Sequence, residues 1–194
     1  MQLYLDKPML VSGRKSDVRC FVLVTHFKCQ GLRVYYFNDA YVRTSSKKVS
    51  LVSLRDRVAH LTNDAVQNRS KTSGLYEEGN KPSFSDWQET IHRDYPDAPA
   101  GIVDGKSRPE IINLCAITIA AAAENLQKTI INKSFELLGY DYMIDYQFKP
   151  TLIEINSIPC LEFVWPLLVD IISSLIENVV RVTLDTQLPP PPND

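Results

Sequence analysis

Tyr140-Asp141-Tyr142-Met143-Ile144-Asp145, a short turn over 146–149, and Pro150-Thr151-Leu152-Ile153-Glu154-Ile155-Asn156 read as a β-hairpin whose polar face gathers oxygen atoms. A four-residue turn pairs Asp145 with Pro150 and therefore sets Asp141 opposite Glu154. Tyr140, Tyr142, Ile144, Thr151, Ile153 and Ile155 then share the apolar face, and Glu154 and Asn156 point the same way as Asp141. Two carboxylates facing each other across a strand pair repel unless a cation lies between them. Two carboxylates and an amide form a hard donor set suited to magnesium. An ordinary surface hairpin with acids on its solvent face has the same local pattern, and the rest of the chain decides between the two.

The 194 residues, 44% hydrophobic and 23% charged, are enough for a real core and typical of a globular protein. A net charge of −2 hides an asymmetry, because residues 1–60 carry eleven Lys and Arg against four acids. A basic segment on a nearly neutral chain points to an acidic ligand, nucleotide phosphates or an acidic peptide, and away from duplex DNA. Solvated surface lysines are the plain alternative. Cys20, Cys29, Cys115 and Cys160 form no C-x-x-C pair and have no His at a zinc spacing, so neither structural zinc nor a redox motif is expected. The longest apolar run, 161–180, is broken by Glu162, Pro166, Asp170 and Glu177 and reads as an amphipathic helix, not a membrane span.

Segments 19–27, 32–37 and 41–44, rich in Val, Phe and Tyr and separated by Gly31 and by Asn38-Asp39-Ala40, read as an antiparallel meander. Residues 63–109 are polar and rich in Gly and Pro and read as long loops, with a short helix from Ser83 past Trp87 to Arg93. Residues 110–133 carry Ile111, Leu114, Cys115, Ile119 and Leu126 at helical spacing. The Pro-Pro-Pro-Pro tail from Pro189 continues no helix.

Alternation from Gly13 sends Lys15, Asp17 and Arg19 to one face, two cations around a carboxylate, able to hold phosphate or carboxylate oxygens. A purely structural Asp17–Arg19 ion pair explains the same pattern. Arg43 stands near a later strand end, and His60-Leu61-Thr62-Asn63 offers four side chains from one loop.

In order, Gly13 to Arg19, Asp39 to Arg43, His60 to Asn63, Phe135 to Asp145 and Lys149 to Pro159 resemble the tubulin tyrosine ligase-like family of ATP-grasp ligases. The family patterns are G-R-K-F-D-x-R, E-G-x-x-R, H-L-T-N, F-E-L-x-G-x-D-F-x-x-D and K-P-x-L-x-E-x-N-x-x-P. The resemblance implies an α/β (α+β) fold, the C-terminal lobe of an ATP-grasp, with an antiparallel sheet flanked by helices and the N-terminal lobe missing. It implies one partial domain over 1–185 and a Pro-rich tail over 186–194. The implied activity is ATP- and magnesium-dependent ligation of a free amino acid to acidic tubulin tails, in the cytoplasm on microtubules or in a cilium, with no nucleic acid or membrane partner. Wording at Lys149-Pro150 and at Glu154 to Pro159 favours glutamate over tyrosine or glycine. A noncatalytic tubulin-binding fragment is the alternative. Mapped position by position, the resemblance makes Asp141, Glu154 and Asn156 metal ligands and sets Lys15, Asp17, Arg19 and Arg43 at the phosphates and reacting carboxylates. It also sets Thr62 and Asn63 beside the nucleotide and Gln2, Tyr4 and Leu5 along the adenine. Three positions depart from the pattern: Ser16 replaces an aromatic, Ala40 replaces a turn glycine that prefers positive φ, and Asp64 stands where an aromatic is common.

Overall fold

One strand, β2 (Arg14–Phe27), organises the molecule, and all of its residues except His26 are buried. The computed structural model describes residues 4–27, 31–50, 55–72, 74–129, 133–185 and 188, so Gln2 and the proline tail lie outside the described residues. At fourteen residues β2 is long enough to take two partners on each edge. Along one edge run β1 (Leu10–Val11) and β5 (Ser134–Ile144), and along the other run β3 (Gly31–Tyr36) and β4 (Tyr41–Lys48). β6 (Pro150–Asn156) extends the sheet beyond β5, and every pairing is antiparallel.

The expected meander is therefore corrected. β4 does not continue outward from β3 but returns to β2, because the six residues of β3 cover only Val22 to Phe27 and leave the first half of that edge for Arg43 and its neighbours. Ala40 is also not strained. It is absent from the described non-glycine residues with positive φ and packs in the core, 3% exposed.

Period-two alternation sorts the side chains of β2 onto two faces. Val18, Cys20, Val22 and Val24 join Val42, Tyr140 and Tyr142 beneath the helices α3 (Phe84–Asp94) and α4 (Arg108–Thr129). Phe21 and Leu23 face the opposite way, under α5 (Pro166–Val180), with Leu168, Ile172 and Leu175. Each helix has a local reason to start where it does. Ser83 and Asp86 form a reciprocal capping box at α3, and Pro166 occupies the first turn of α5, where a missing N–H costs no helical bond. The expected helix at 161–180 thus begins later, and the one at 110–133 begins two residues earlier, with Pro109 inside its first turn. Residues 63–109 are less loop-like than their composition suggests. They hold α2 (Asp64–Gln67), following α1 (Arg57–His60), a 3-10 turn at Glu78–Asn80, and a π turn at Val103–Ser107 that leads into α4.

The 74–81 segment is pinned from both sides. Arg14, 1% exposed, forms a two-pronged ion pair with Glu77 and lies 4.3 Å from the Tyr76 ring centre. Gly79, at φ +59°, leaves room for the Trp165 indole, which a Cβ there would overlap. Both backbone and space demand glycine at this position. Gly79→Ala is expected to destabilise the fold by about 2 kcal/mol. The added Trp165→Ala change is expected to recover part of that loss in a double-mutant thermal-denaturation cycle, whereas additive losses would contradict the contact.

Candidate active site

Lys15, Asp17 and Arg19 of the central strand lie on the same face as Phe21 and Leu23. The register sets Asp17 opposite Arg43, Arg19 opposite Asp141, and Asp141 opposite Glu154. Four strands thus bring residues that are far apart in sequence into one row. The Arg43 guanidinium holds Asp17 Oδ1 at 2.6 Å and reaches Asp141 Oδ2 at 3.1 Å. Arg19 grips both oxygens of Asp141, one of them at 2.9 Å from Nη2. Thr62 donates its hydroxyl to Asp17. The alternative of an Asp17–Arg19 ion pair gives way to this cross-strand exchange, since neighbours along one face of a strand stand further apart than residues facing each other on adjacent strands.

Lys15, Asp17, Arg43, His60, Leu61, Thr62, Asn63, Asp141 and Glu154 line one cleft of about 270 Å³, together with Met143 and Ile153. Lys15 reaches it beside the Tyr4 ring, 4.6 Å from the ring centre, and bonds the Tyr4 hydroxyl. Leu5 is half-buried and is not among the residues lining this cleft. Arg43 and Asn63 also line a second, larger cleft of about 630 Å³, which runs from Arg19 past Lys81 to Trp165. Lys81 and Trp165 were not singled out in the sequence. Their partners, Asp64 and Gly79, give no local pattern that announces a site.

The hairpin carries a correction and a confirmation. Its turn is one residue longer than expected, with Ile144 opposite Pro150, because the Asp145 side chain accepts the amides of Gln147 and Lys149 at 2.8 and 2.9 Å and leaves the ladder. A register shift between Asp141 and Tyr142 offsets that residue and restores Asp141 opposite Glu154. Around the shift Leu152 packs on the core, whereas Ile153 turns to the cleft instead of the apolar face.

Asp141, Glu154 and Asn156 converge. The Asn156 amide nitrogen stands 3.3 Å from an oxygen of each carboxylate. Turning that amide over presents its oxygen on the same side, so the trio can supply only oxygen ligands, a set that fits a hard divalent cation. Among the described residues no group of three or more His, Cys, Asp and Glu is placed to hold a metal, so a cation at this trio would take its third protein donor from the amide.

Burial pushes the Asp17 carboxyl above its ordinary range, aided by the Asp141 charge and opposed by Arg43 and Thr62. Burial acts the same way on Asp141, but the Arg19 and Arg43 guanidiniums outweigh it and hold that carboxyl below its ordinary range. The two acids therefore pull stability in opposite directions with pH. Asp141 contributes stability that is present above the unfolded-state value and lost as pH falls through its lowered native value. Asp17 favours the fold most when protonated and loses that benefit as pH rises through its raised native value. Asp141→Asn, which strips Arg19 of its carboxylate partner, is expected to cost about 3 kcal/mol and to flatten the acid loss of stability. Asp17→Asn leaves Arg43 its contact with Asp141, and is expected to cost less and to steepen the acid limb. Urea denaturation from pH 3 to 7 separates these outcomes, and equal costs with unchanged acid limbs would contradict the assignment.

The chain matches the family model described as "Tubulin-tyrosine ligase family" over residues 1–193. It is similar to tubulin glycylase 3D of Tetrahymena thermophila, 31% identical over 189 residues, covering 95% of this chain and 18% of the relative. Tubulin glycylase 3B of Drosophila melanogaster is 30% identical over 188 residues, covering 95% and 24%. The probable tubulin polyglutamylase TTLL9 of Bos taurus is 34% identical over 166 residues, covering 82% and 33%. The chain thus spans a third or less of the length of these relatives. With five motifs met in order, an antiparallel sheet flanked by helices and a family model matched almost end to end, the chain belongs to the tubulin-tyrosine ligase family.

Proposed function

We propose that this chain carries the catalytic face of an ATP- and magnesium-dependent ligase that joins a free amino acid to a carboxylate of an acidic tubulin tail. The observation that carries this reading is the row Arg43, Asp17, Arg19, Asp141 and Glu154, continuous across four strands and floored by the two guanidiniums. Amide formation of this kind has two steps. A tail carboxylate oxygen attacks the terminal phosphorus of ATP, breaking the bond to ADP and giving an acyl phosphate. The amine of the amino acid then attacks the acyl carbon, phosphate leaves with the bonding pair, and the amine gives up its proton.

The ATP phosphates, the tail carboxylate and the α-carboxylate of the amino acid are all anionic, so the residues present have to neutralise charge before the groups can approach. Asp141, Glu154 and Asn156 would hold magnesium, which supplies charge neutralisation at the phosphates when bound. Lys15, braced by Tyr4, faces the phosphate side, with Thr62 and Asn63 beside the nucleotide. Arg19 and Arg43, oriented by Asp141 and Asp17, present guanidinium edges to the reacting carboxylate. The basic first third of the chain suits an acidic tail. The corresponding place in the cell is the microtubule, in the cytoplasm or in a cilium.

Two observations pull on the identity of the amino acid. The Glu154 to Pro159 wording favours glutamate, whereas relatives matched over 95% of the chain are glycylases by name. Incorporation of labelled glutamate, glycine and tyrosine into polymerised tubulin with ATP and magnesium tests the whole reading. The parent chain is expected to incorporate label, and Glu154→Gln to lose at least about 100-fold of it. Salt-sensitive tubulin binding that is indifferent to Glu154→Gln, with no label incorporated by the parent, would replace the ligase reading with that of a noncatalytic tubulin-binding module.

A further inference from the structure

The second cleft contains a pairing that the ligase chemistry above does not use. Lys81 lines this cleft, yet its side chain is only 3% exposed. Its ammonium stands 2.7 Å from Asp64 Oδ1 and 3.2 Å from the Gly79 carbonyl. Asp64, whose side chain is 42% exposed, is the outer member of the pair. Anything entering the cleft toward Lys81 meets the Asp64 carboxylate first. Arg19 and Arg43 at the floor are engaged by Asp141 and Asp17, and Glu162 adds a further acid to the wall.

We propose that the Asp64–Lys81 pair makes this cleft select an amino acid with an uncharged side chain, glycine being the smallest, and reject glutamate. The proposal rests on the ligase reading and specifies its substrate. An incoming amino acid brings an α-carboxylate and an amine whatever its side chain. The five-donor guanidiniums of Arg19 and Arg43 use only Nε and Nη2 on Asp141 and Asp17, so their Nη1 groups complement the carboxylate, and the Asp64 carboxylate complements the amine. A side-chain carboxylate brings one more negative charge. The cation placed to receive it, Lys81, already has a partner, and that partner repels the newcomer. Burying a charge with no counter-charge, beside a like charge, is disfavoured by several kcal/mol in a closed site and by less in an open cleft. The position of Asp64 in the fold supports a fixed role. It opens α2 directly after Asn63, a residue shared by both clefts, and its carboxylate is held by the buried Lys81 ammonium.

The test measures incorporation of labelled glycine and glutamate into the same polymerised tubulin, so that effects of Asp64 on the acidic tail cancel in the ratio. Unlabelled glutamine, the neutral isostere of glutamate, serves as competitor to separate charge from size. The parent is expected to favour glycine and to be inhibited by glutamine more strongly than by unlabelled glutamate. Asp64→Asn removes the counter-charge of Lys81, which keeps its bond to the Gly79 carbonyl, and is expected to raise the glutamate-to-glycine ratio about tenfold, the equivalent of about 1.4 kcal/mol. Asp64→Glu keeps the charge and is expected to keep the parent ratio. Asp64→Asn with Lys81→Met is expected to lose the gain. Circular dichroism melting of each variant distinguishes a change of selectivity from loss of fold. Glutamate incorporated by the parent as readily as glycine, or an Asp64→Asn ratio that does not move, would overturn the inference and leave the ligase reading standing. Absence of any label with the folded parent would overturn both.

Discussion

Burying a charged strand at the centre of a sheet is the constraint from which the rest of this molecule follows. β2 passes between two packed faces with Arg14, Lys15, Asp17 and Arg19 all less than a tenth exposed. A charge removed from water without a partner costs several kcal/mol, so each of these residues has to find its counterpart inside the fold. The counterparts are recruited from everywhere: Arg43 from β4, Asp141 from β5, Glu77 from the 74–81 segment and the Tyr4 hydroxyl from the N-terminal segment. The same network that makes the strand tolerable concentrates guanidinium and carboxylate groups at one place on the sheet. Structural necessity and chemical capacity have one cause here.

How much of this was legible in the sequence depended on distance along the chain. The Asp141–Glu154 pairing was, since a short turn ties the two strands, although the longer turn and the register shift that cancel each other were not, and five ordered motifs pointed to the family. Alternation correctly placed Lys15, Asp17 and Arg19 on one face. Pairings between remote segments were not legible. Nothing around Arg14 announces Glu77, and nothing around Asp17 says that Arg43 would hold it in preference to Arg19. The strand lengths hid the topology as well. Read as ending near Thr44 and beginning near Arg19, the strands suggest a meander, whereas the full fourteen residues of β2 require two partners on one edge. Helix starts were misread around proline, at Pro109 and Pro166, where the residue that breaks a helix interior is well accommodated in a first turn.

The two clefts adjoin at the charged row. They share Arg43 and Asn63, so the wall between them consists of groups that both sides use. The smaller cleft is lined by the hairpin carboxylates. The larger is bounded by Trp165, whose indole lies over Gly79 and connects the start of α5 to the segment holding Lys81. The packing of α5 on Phe21 and Leu23 therefore sets the shape of the second cleft as well as completing the core.

The paired offsets in the β5–β6 hairpin have a consequence of their own. The turn contributes one residue more than a tight connection needs, and the register shift beside Asp141 takes up one residue in compensation. The arrangement works as a slip joint: the residue added at the tip is absorbed before it reaches the carboxylates. The two offsets have to match, so a residue inserted or deleted at the tip, where Asp145 and Phe148 are also tied to the rest of the fold, misaligns Asp141 and Glu154 unless the joint changes by the same amount. The tolerance of the hairpin is set at Ile153 as well as at its tip.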